Sequence, residues 1–148
     1  MIRNEAEYKK AVDKLKEERA RIEQIRKNLA ERKLTEAETK HILDPIESFH
    51  LQFQEEVEGY EKLKRGEFDE LVNFRGLGHL LIALRIARGM TQKELANRLG
   101  IKDSQISRDE RNEYHGITLD RANKILEALG TQISSTVIFS PFKNCGGL

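Results

Sequence analysis

The stretch MTQKELANRLGIKDSQISRDE, Met90 to Glu110, gathers side chains that could do chemistry onto one short segment. Ser104, Gln105, Arg108, Arg111 and Asn112 crowd around a single apolar anchor, Ile106. These are hydrogen-bonding and cationic groups, suited to holding a polar, anionic ligand by its edges rather than to breaking bonds in it. The rest of the chain offers little for catalysis. No glycine-rich phosphate loop and no nucleophile elbow is present. No catalytic pair of carboxylates stands out from the many glutamates, and the run EEVEGYE (Glu55 to Glu61) reads as a solvated helix face. An enzyme is therefore not expected. The four histidines, His41, His50, His79 and His115, lack ligand spacing with Asp, Glu or Cys on one helix face, so neither a metal nor another cofactor is expected. Cys145 is the only cysteine, which excludes an intrachain disulfide and a Cys-based zinc site.

Two helices must position the polar row. Thr91 with Glu94 forms a capping box that starts the first of them. Gly100 ends it and permits a sharp turn with positive φ. The second begins near Asp103. Ala96 is small where two helices cross closely, and Ile101 and Ile106 plug the second helix onto Leu95 and Leu99 of the first. This is a helix-turn-helix, an arrangement in which the second helix enters the DNA major groove and its N-terminal side chains reach base edges.

The surrounding elements are helical too. The chain has 148 residues, of which 34% are charged and 6% aromatic, and its mean hydropathy is −0.64. Long amphipathic helices suit that composition better than a β-sandwich. Tyr8, Ala11, Leu15, Glu18, Ile22, Ile25 and Leu29 step by three and four along a stretch without Gly or Pro, a heptad seam that needs a partner helix. Thr35 with Glu38 forms another capping box. Asp44-Pro45 predicts a break or kink, then a long helix from about Pro45 to Leu63 with Ile46, Phe49, Phe53, Val57 and Tyr60 on one face. Residues 1–33 hold 11 Lys/Arg against 7 Asp/Glu, and residues 34–75 hold 5 against 11. Opposite charge thus favours antiparallel packing of the two. HLLIALRIARG forms a helix ending at Gly89, and LDRANKILEALG forms another, with Leu119, Ala122, Ile125, Leu126 and Leu129 inward. TQISSTVIF, Thr131 to Phe139, reads as one strand; it either pairs with its own copy in a dimer or lies over the core as a tail.

The expected fold is mainly α: an N-terminal, coiled-coil-like helical hairpin (1–75) for assembly or partner binding, a compact helix-turn-helix bundle (76–130), and a short C-terminal strand and tail (131–148). The longest apolar run, LLIAL, is too short to span a bilayer, and MIRNEAEYKK lacks the apolar run of a signal peptide. A soluble, cytoplasmic protein is expected, without membrane contact.

RIARGMTQKELANRLGIKDSQISRDE resembles the Cro/lambda-repressor type helix-turn-helix, the xenobiotic-response-element family of bacterial regulators. The resemblance covers about residues 78 to 130, with Arg85, Thr91-Gln92, Leu95-Ala96, Gly100-Ile101, Ile106-Ser107 and Glu110 at family positions. It implies double-stranded DNA as partner, a recognition helix near 103–113, and a role for each residue. Gln92 would bond a phosphate at a helix N-terminus. Ser104, Gln105 and Arg108 would face bases, with Arg108 pairing guanine and Gln105 adenine, each discriminating by about 1–3 kcal/mol. Arg111 and Asn112 would lie near the backbone. Arg85 and Glu110 would form a structural ion pair. Two departures stand out. Lys102 occupies a position where a Ser or Thr cap is frequent, which passes capping to Asp103, and that carboxylate could accept from a cytosine amine. Asp109 replaces a frequently apolar residue.

Three readings follow: a repressor-type transcriptional regulator acting as a homodimer; an antitoxin that holds a partner toxin on its N-terminal helices and represses its own operon; and a helical interaction protein that does not bind DNA. The order of elements around EGYEKLKRGEFDELVNFRGLGHLLIALRIARGMTQKEL is similar to antitoxins of the host-inhibition type.

Overall fold

The computed structural model describes residues 1–141; Cys145 lies outside the described residues. Six helices follow one another: α1 (Glu5–Glu31), α2 (Glu36–Lys64), α3 (Leu77–Ala87), α4 (Gln92–Leu99), α5 (Asp103–Arg111) and α6 (Leu119–Ala128).

Asn4 caps α1 by accepting from the Glu7 N–H, and Thr35 with Glu38 completes a capping box on α2. The two helices, each on the order of 40 Å long at 1.5 Å per residue, pack antiparallel. The pairing is read from Lys64 Nζ on Glu5 Oε2 at 2.9 Å at one end and Arg26 Nη2 on Glu47 Oε1 at 2.5 Å near the other. Ala11, Ile22 and Leu29 are the buried residues of α1, and Leu43, Val57 and Tyr60 those of α2. Tyr8 stacks on Tyr60 with ring centroids 5.1 Å apart and donates its hydroxyl to Glu61 Oε1 at 2.6 Å.

Two expectations for this hairpin need correction. The break at Asp44-Pro45 is absent, and α2 runs continuously through Pro45. Proline removes one N–H and deprives the His41 carbonyl of its helical donor. Both residues are exposed, so water can take that carbonyl, while Leu43 and Ile46 on either side hold the helix along α1. Phe49 is not on the seam but is 58% exposed on its flank. Position 50, not 49, turns toward α1, bringing His50 Nδ1 to 3.6 Å from Glu18 Oε2.

The core does not stop at the boundary expected near residue 75. One cluster of buried residues runs from Ala11, Val57 and Tyr60 into Leu81, Ile82, Leu95, Ile106, Ile125 and Leu129, and Ile2 joins it from ahead of α1. The helical hairpin is thereby fixed to the bundle α3–α6 by apolar packing. Within the bundle Gly78 permits a close approach, since a Cβ there would stand 2.0 Å from the Glu113 carbonyl oxygen. Leu119, expected inward, is 59% exposed in the first turn of α6, where Ala122, Ile125 and Leu126 take the buried positions.

The expected C-terminal strand is also absent among the described residues. From Thr131 to Pro141 the chain has no ladder partner. The Thr131 N–H bonds the Leu126 carbonyl and Ile133 packs on the core, but Val137, Ile138 and Phe139 are 89%, 84% and 98% exposed. An all-helical bundle presents no strand edge, so β-branched residues alone cannot make a strand there.

Candidate nucleic-acid interface

Local sequence builds the two helices of the motif. The Thr91 hydroxyl accepts from the Glu94 N–H at 3.1 Å while the Glu94 carboxylate accepts from the Thr91 N–H at 2.7 Å. Those bonds hold the Glu94 carboxyl below its ordinary value of 4.5, the backbone bond from Thr91 being the main cause. Gly100 ends α4 in the left-handed region with φ +68°, and the Ile101 N–H returns to the Ala96 carbonyl at 3.0 Å. Lys102, not Asp103, is the N-cap of α5, and its side chain makes no capping bond. Asp103 sits in the first turn, where its Oδ1 accepts from the Ser104 N–H at 2.8 Å. It therefore meets part of the capping need from one position further in.

The inner face of α5 is fully anchored. Ile106 and Glu110 are both 0% exposed, as are Leu95 and Ala96 beneath them. Glu110 belongs to a hub centred on Arg85 of α3, itself 2% exposed. Arg85 Nε donates to Glu110 Oε1 at 2.5 Å and Arg85 Nη2 to Glu110 Oε2 at 2.8 Å, a bidentate pair. Arg85 Nη1 donates to the Met90 carbonyl at 2.8 Å and Nη2 also to the Arg3 carbonyl at 2.9 Å. Gln92 Nε2 donates to Glu110 Oε2 at 2.7 Å. One guanidinium thus joins α3, the α3–α4 turn, α5 and the segment ahead of α1.

The outer face of α5 is free. Ser104, Arg108 and Arg111 are exposed at i, i+4 and i+7, one stripe opposite Ile106. Asn112 is exposed at the C-cap and Asp103 at the first turn. Among the described residues neither Arg108 nor Arg111 makes an ion pair within the chain, whereas the Arg85 charge is fully engaged.

The structure divides the remaining expected site residues differently. Gln105 is half-buried on the flank facing α6, and with its amide oxygen turned toward that helix it accepts from Arg121 Nη1 and Nη2 at 3.2 Å. Gln92 commits its amide nitrogen to Glu110 and keeps its backbone N–H, in the first turn of α4, without an intrahelical acceptor. Arg121 was not anticipated. It pairs with Asp109 across the α5–α6 contact and so explains an acid where an apolar residue was expected. Tyr114, just after α5, is 5% exposed, and burial pushes its hydroxyl well above the ordinary value of 10. Its backbone φ of +52° follows +50° at Glu113, and its ring joins the core cluster. No local sequence signal marks either residue.

A cleft of about 710 Å³ runs beside the stripe, where Tyr60 and Lys64 at the open end of the hairpin meet Gln92, Lys93, Asp103 and Ser104. The hairpin therefore reaches the flank of the outer face of α5.

An anchored helix with a free polar stripe, set behind a capped and glycine-terminated partner, defines a DNA-binding regulator domain of the helix-turn-helix class. Residues 81–135 match the model of the helix-turn-helix family, and this segment is a helix-turn-helix of the Cro/lambda-repressor type. No curated protein and no solved structure matches the chain. Among the described residues no helix is long and apolar enough to cross a membrane.

Proposed function

We propose that the chain is a sequence-specific transcriptional regulator of repressor type that binds double-stranded DNA in the cytoplasm as a homodimer, with α5 in the major groove. The observation that carries this reading is the stripe Ser104, Arg108, Arg111, exposed on a helix whose opposite side is 0% exposed at Ile106 and Glu110. Arg108 is the base reader, suited to a bidentate pair with guanine O6 and N7. Ser104 and Asp103 lie toward the N-terminal end that leads into the groove, where the carboxylate accepts from a cytosine amine and disfavours other bases. Arg111, Asn112 and the N-terminal N–H groups of α4 at Gln92 hold phosphates. Gln105 contributes through Arg121 and through the flank of the groove rather than from the centre of the stripe.

Residues 76–130 carry 9 Lys/Arg against 7 Asp/Glu, a weak basic excess for one head, so two heads on one site supply the affinity. Selection of bound sequences from random duplexes tests this. An inverted repeat is expected, with half-sites about one helical turn apart. Arg108→Ala flattens the preference at one base pair with little change in salt slope, whereas Arg111→Ala lowers the slope by about 1 and leaves the preferred sequence unchanged. Absence of any selected sequence, with no salt-sensitive binding, refutes the proposal. The exposed Leu51 and Phe49 on the hairpin, 57% and 58% exposed, favour a second reading in which the same DNA-binding protein also neutralises a toxin as its antitoxin; co-purification of a small basic protein distinguishes it.

A further inference from the structure

The two flanks of α5 face different neighbours. On one, Gln105 meets Arg121 of α6. On the other, Asp103, Ser104 and Ser107 line the cleft of about 710 Å³, together with Lys93 of α4 and with Tyr60 and Lys64 from the open end of the hairpin. Lys64 is held in place there. Its Nζ donates to Glu5 Oε2 at 2.9 Å and lies 5.8 Å and 6.0 Å from the ring centroids of Tyr8 and Tyr60. An ammonium has three donors; Glu5 takes one, and the Lys64 side chain stays 44% exposed. Lys93 is exposed and makes no ion pair among the described residues. The two carboxylates of the cleft are both engaged. Glu5 Oε2 accepts from Lys64 and from the Tyr60 hydroxyl, and Asp103 Oδ1 accepts from the Ser104 N–H.

We infer that this cleft takes a phosphate strand of the DNA, so that the hairpin is itself part of the DNA-binding surface and Lys64 is the cation it contributes. The inference rests on the placement of α5 in the major groove proposed above. That groove is about 12 Å wide and a helix with its side chains about 10–12 Å, so a duplex seated on α5 carries one phosphate strand along each side of the helix. The cleft lies along one of those sides. Asp103 and Ser104 belong both to its lining and to the exposed face of α5, which makes the two surfaces continuous. The shared apolar core fixes the hairpin to the bundle, so Lys64 is set beside the strand before any DNA arrives and little ordering is needed. Glu5 stands next to it as an anion and opposes the same contact.

Salt titrations of the full chain on a random-sequence duplex test it, because a phosphate contact does not depend on sequence. The Lys64–Glu5 pair is broken from each side in turn, with circular dichroism confirming that each variant folds. Lys64→Gln should weaken binding and lower the salt slope by about 0.9, the share of one phosphate; raising salt from about 50 to about 200 mM then costs about 3.5-fold less affinity than in the wild type. Lys64→Arg should keep the wild-type slope. Glu5→Gln keeps the cation and removes the opposing charge, so it should tighten binding. A pair that only held α1 to α2 would give the same sign from both sides. The Arg26–Glu47 pair is the control. It lies about 25 Å along α2 from Lys64 at 1.5 Å per residue, well beyond the Debye length of about 10 Å at 0.1 M salt, so Arg26→Gln and Glu47→Gln should leave the slope unchanged. Equal signs at Lys64 and Glu5, an unchanged slope in Lys64→Gln, or equal effects from the control pair overturn the inference, and the proposed function stands if the wild type still binds. Opposite signs with no sequence recovered by selection refute sequence-specific reading and leave the hairpin contact standing. A wild type that binds no duplex overturns both.

Discussion

Arg85→Met tests the hub beneath α5. Arg85 makes four hydrogen bonds, two to Glu110 and one each to the Met90 and Arg3 carbonyls. Methionine fills much of the same space but donates nothing. Glu110, at 0% exposure, keeps only Gln92 Nε2 as partner in the core. Breaking a buried pair from one side costs about 3–5 kcal/mol because the surviving charge is left uncompensated. At the about 2–4 °C per kcal/mol expected for a chain of this size, Tm falls by about 6–20 °C. Arg85→Met with Glu110→Leu removes both charges together and should recover most of that loss, since an apolar pair of similar volume commonly replaces a buried ion pair without penalty. Urea unfolding followed by circular dichroism, on the wild type, both single variants and the double, closes the cycle. A cost for Arg85→Met below about 1 kcal/mol, the net contribution of one ordinary hydrogen bond, would refute the reasoning, as would single losses that simply add in the double variant.

Two glycine substitutions should act in opposite directions. Gly78→Ala forces a Cβ to within 2.0 Å of the Glu113 carbonyl oxygen, so overpacking should cost at least about 1–3 kcal/mol. Gly59→Ala, in mid-α2 with nothing within 4 Å of the added carbon, should gain up to about 1 kcal/mol from helix propensity; chemical denaturation reads both. Acid stability should follow the lowered carboxyls: Glu5 by Lys64, Glu38 and Glu94 by their capping threonines, and Glu67 by Arg65. Their folded values lie below 4.5, so the unfolded chain binds more protons there. Their contribution is complete above about 4.5 and is lost as pH falls through the folded values. Glu94→Gln, which removes a titrating carboxyl, should make the acid transition less steep, which a pH titration of Tm detects.

The sequence alone determined whatever is local. Spacing of apolar residues by three and four set the seam of α1. The pairs Thr35/Glu38 and Thr91/Glu94 set two helix starts, and Gly100 set the turn. Each depends on residues within one or two turns of chain, which is why Ile106 and the polar row beside it could be recognised as an anchored outward helix. Tertiary packing decided which of those polar residues remain free. Gln105 is drawn to one side and Asp109 paired because Arg121, a residue of another helix, stands against α5. Gln92 turns inward because Glu110 needs a further donor. The Arg3 carbonyl reaches Arg85 across 82 positions of sequence, so nothing local foretells that the segment ahead of the hairpin is tied to the bundle. Packing also overruled local preference twice: Pro45 continues α2 because its lost hydrogen bond faces solvent while its neighbours are held by α1, and the β-branched tail forms no strand because a strand requires an edge that a helical bundle lacks. Periodicity determines which face of a helix is apolar; only the neighbours brought to it by the fold decide which polar atoms are already engaged and which are left free.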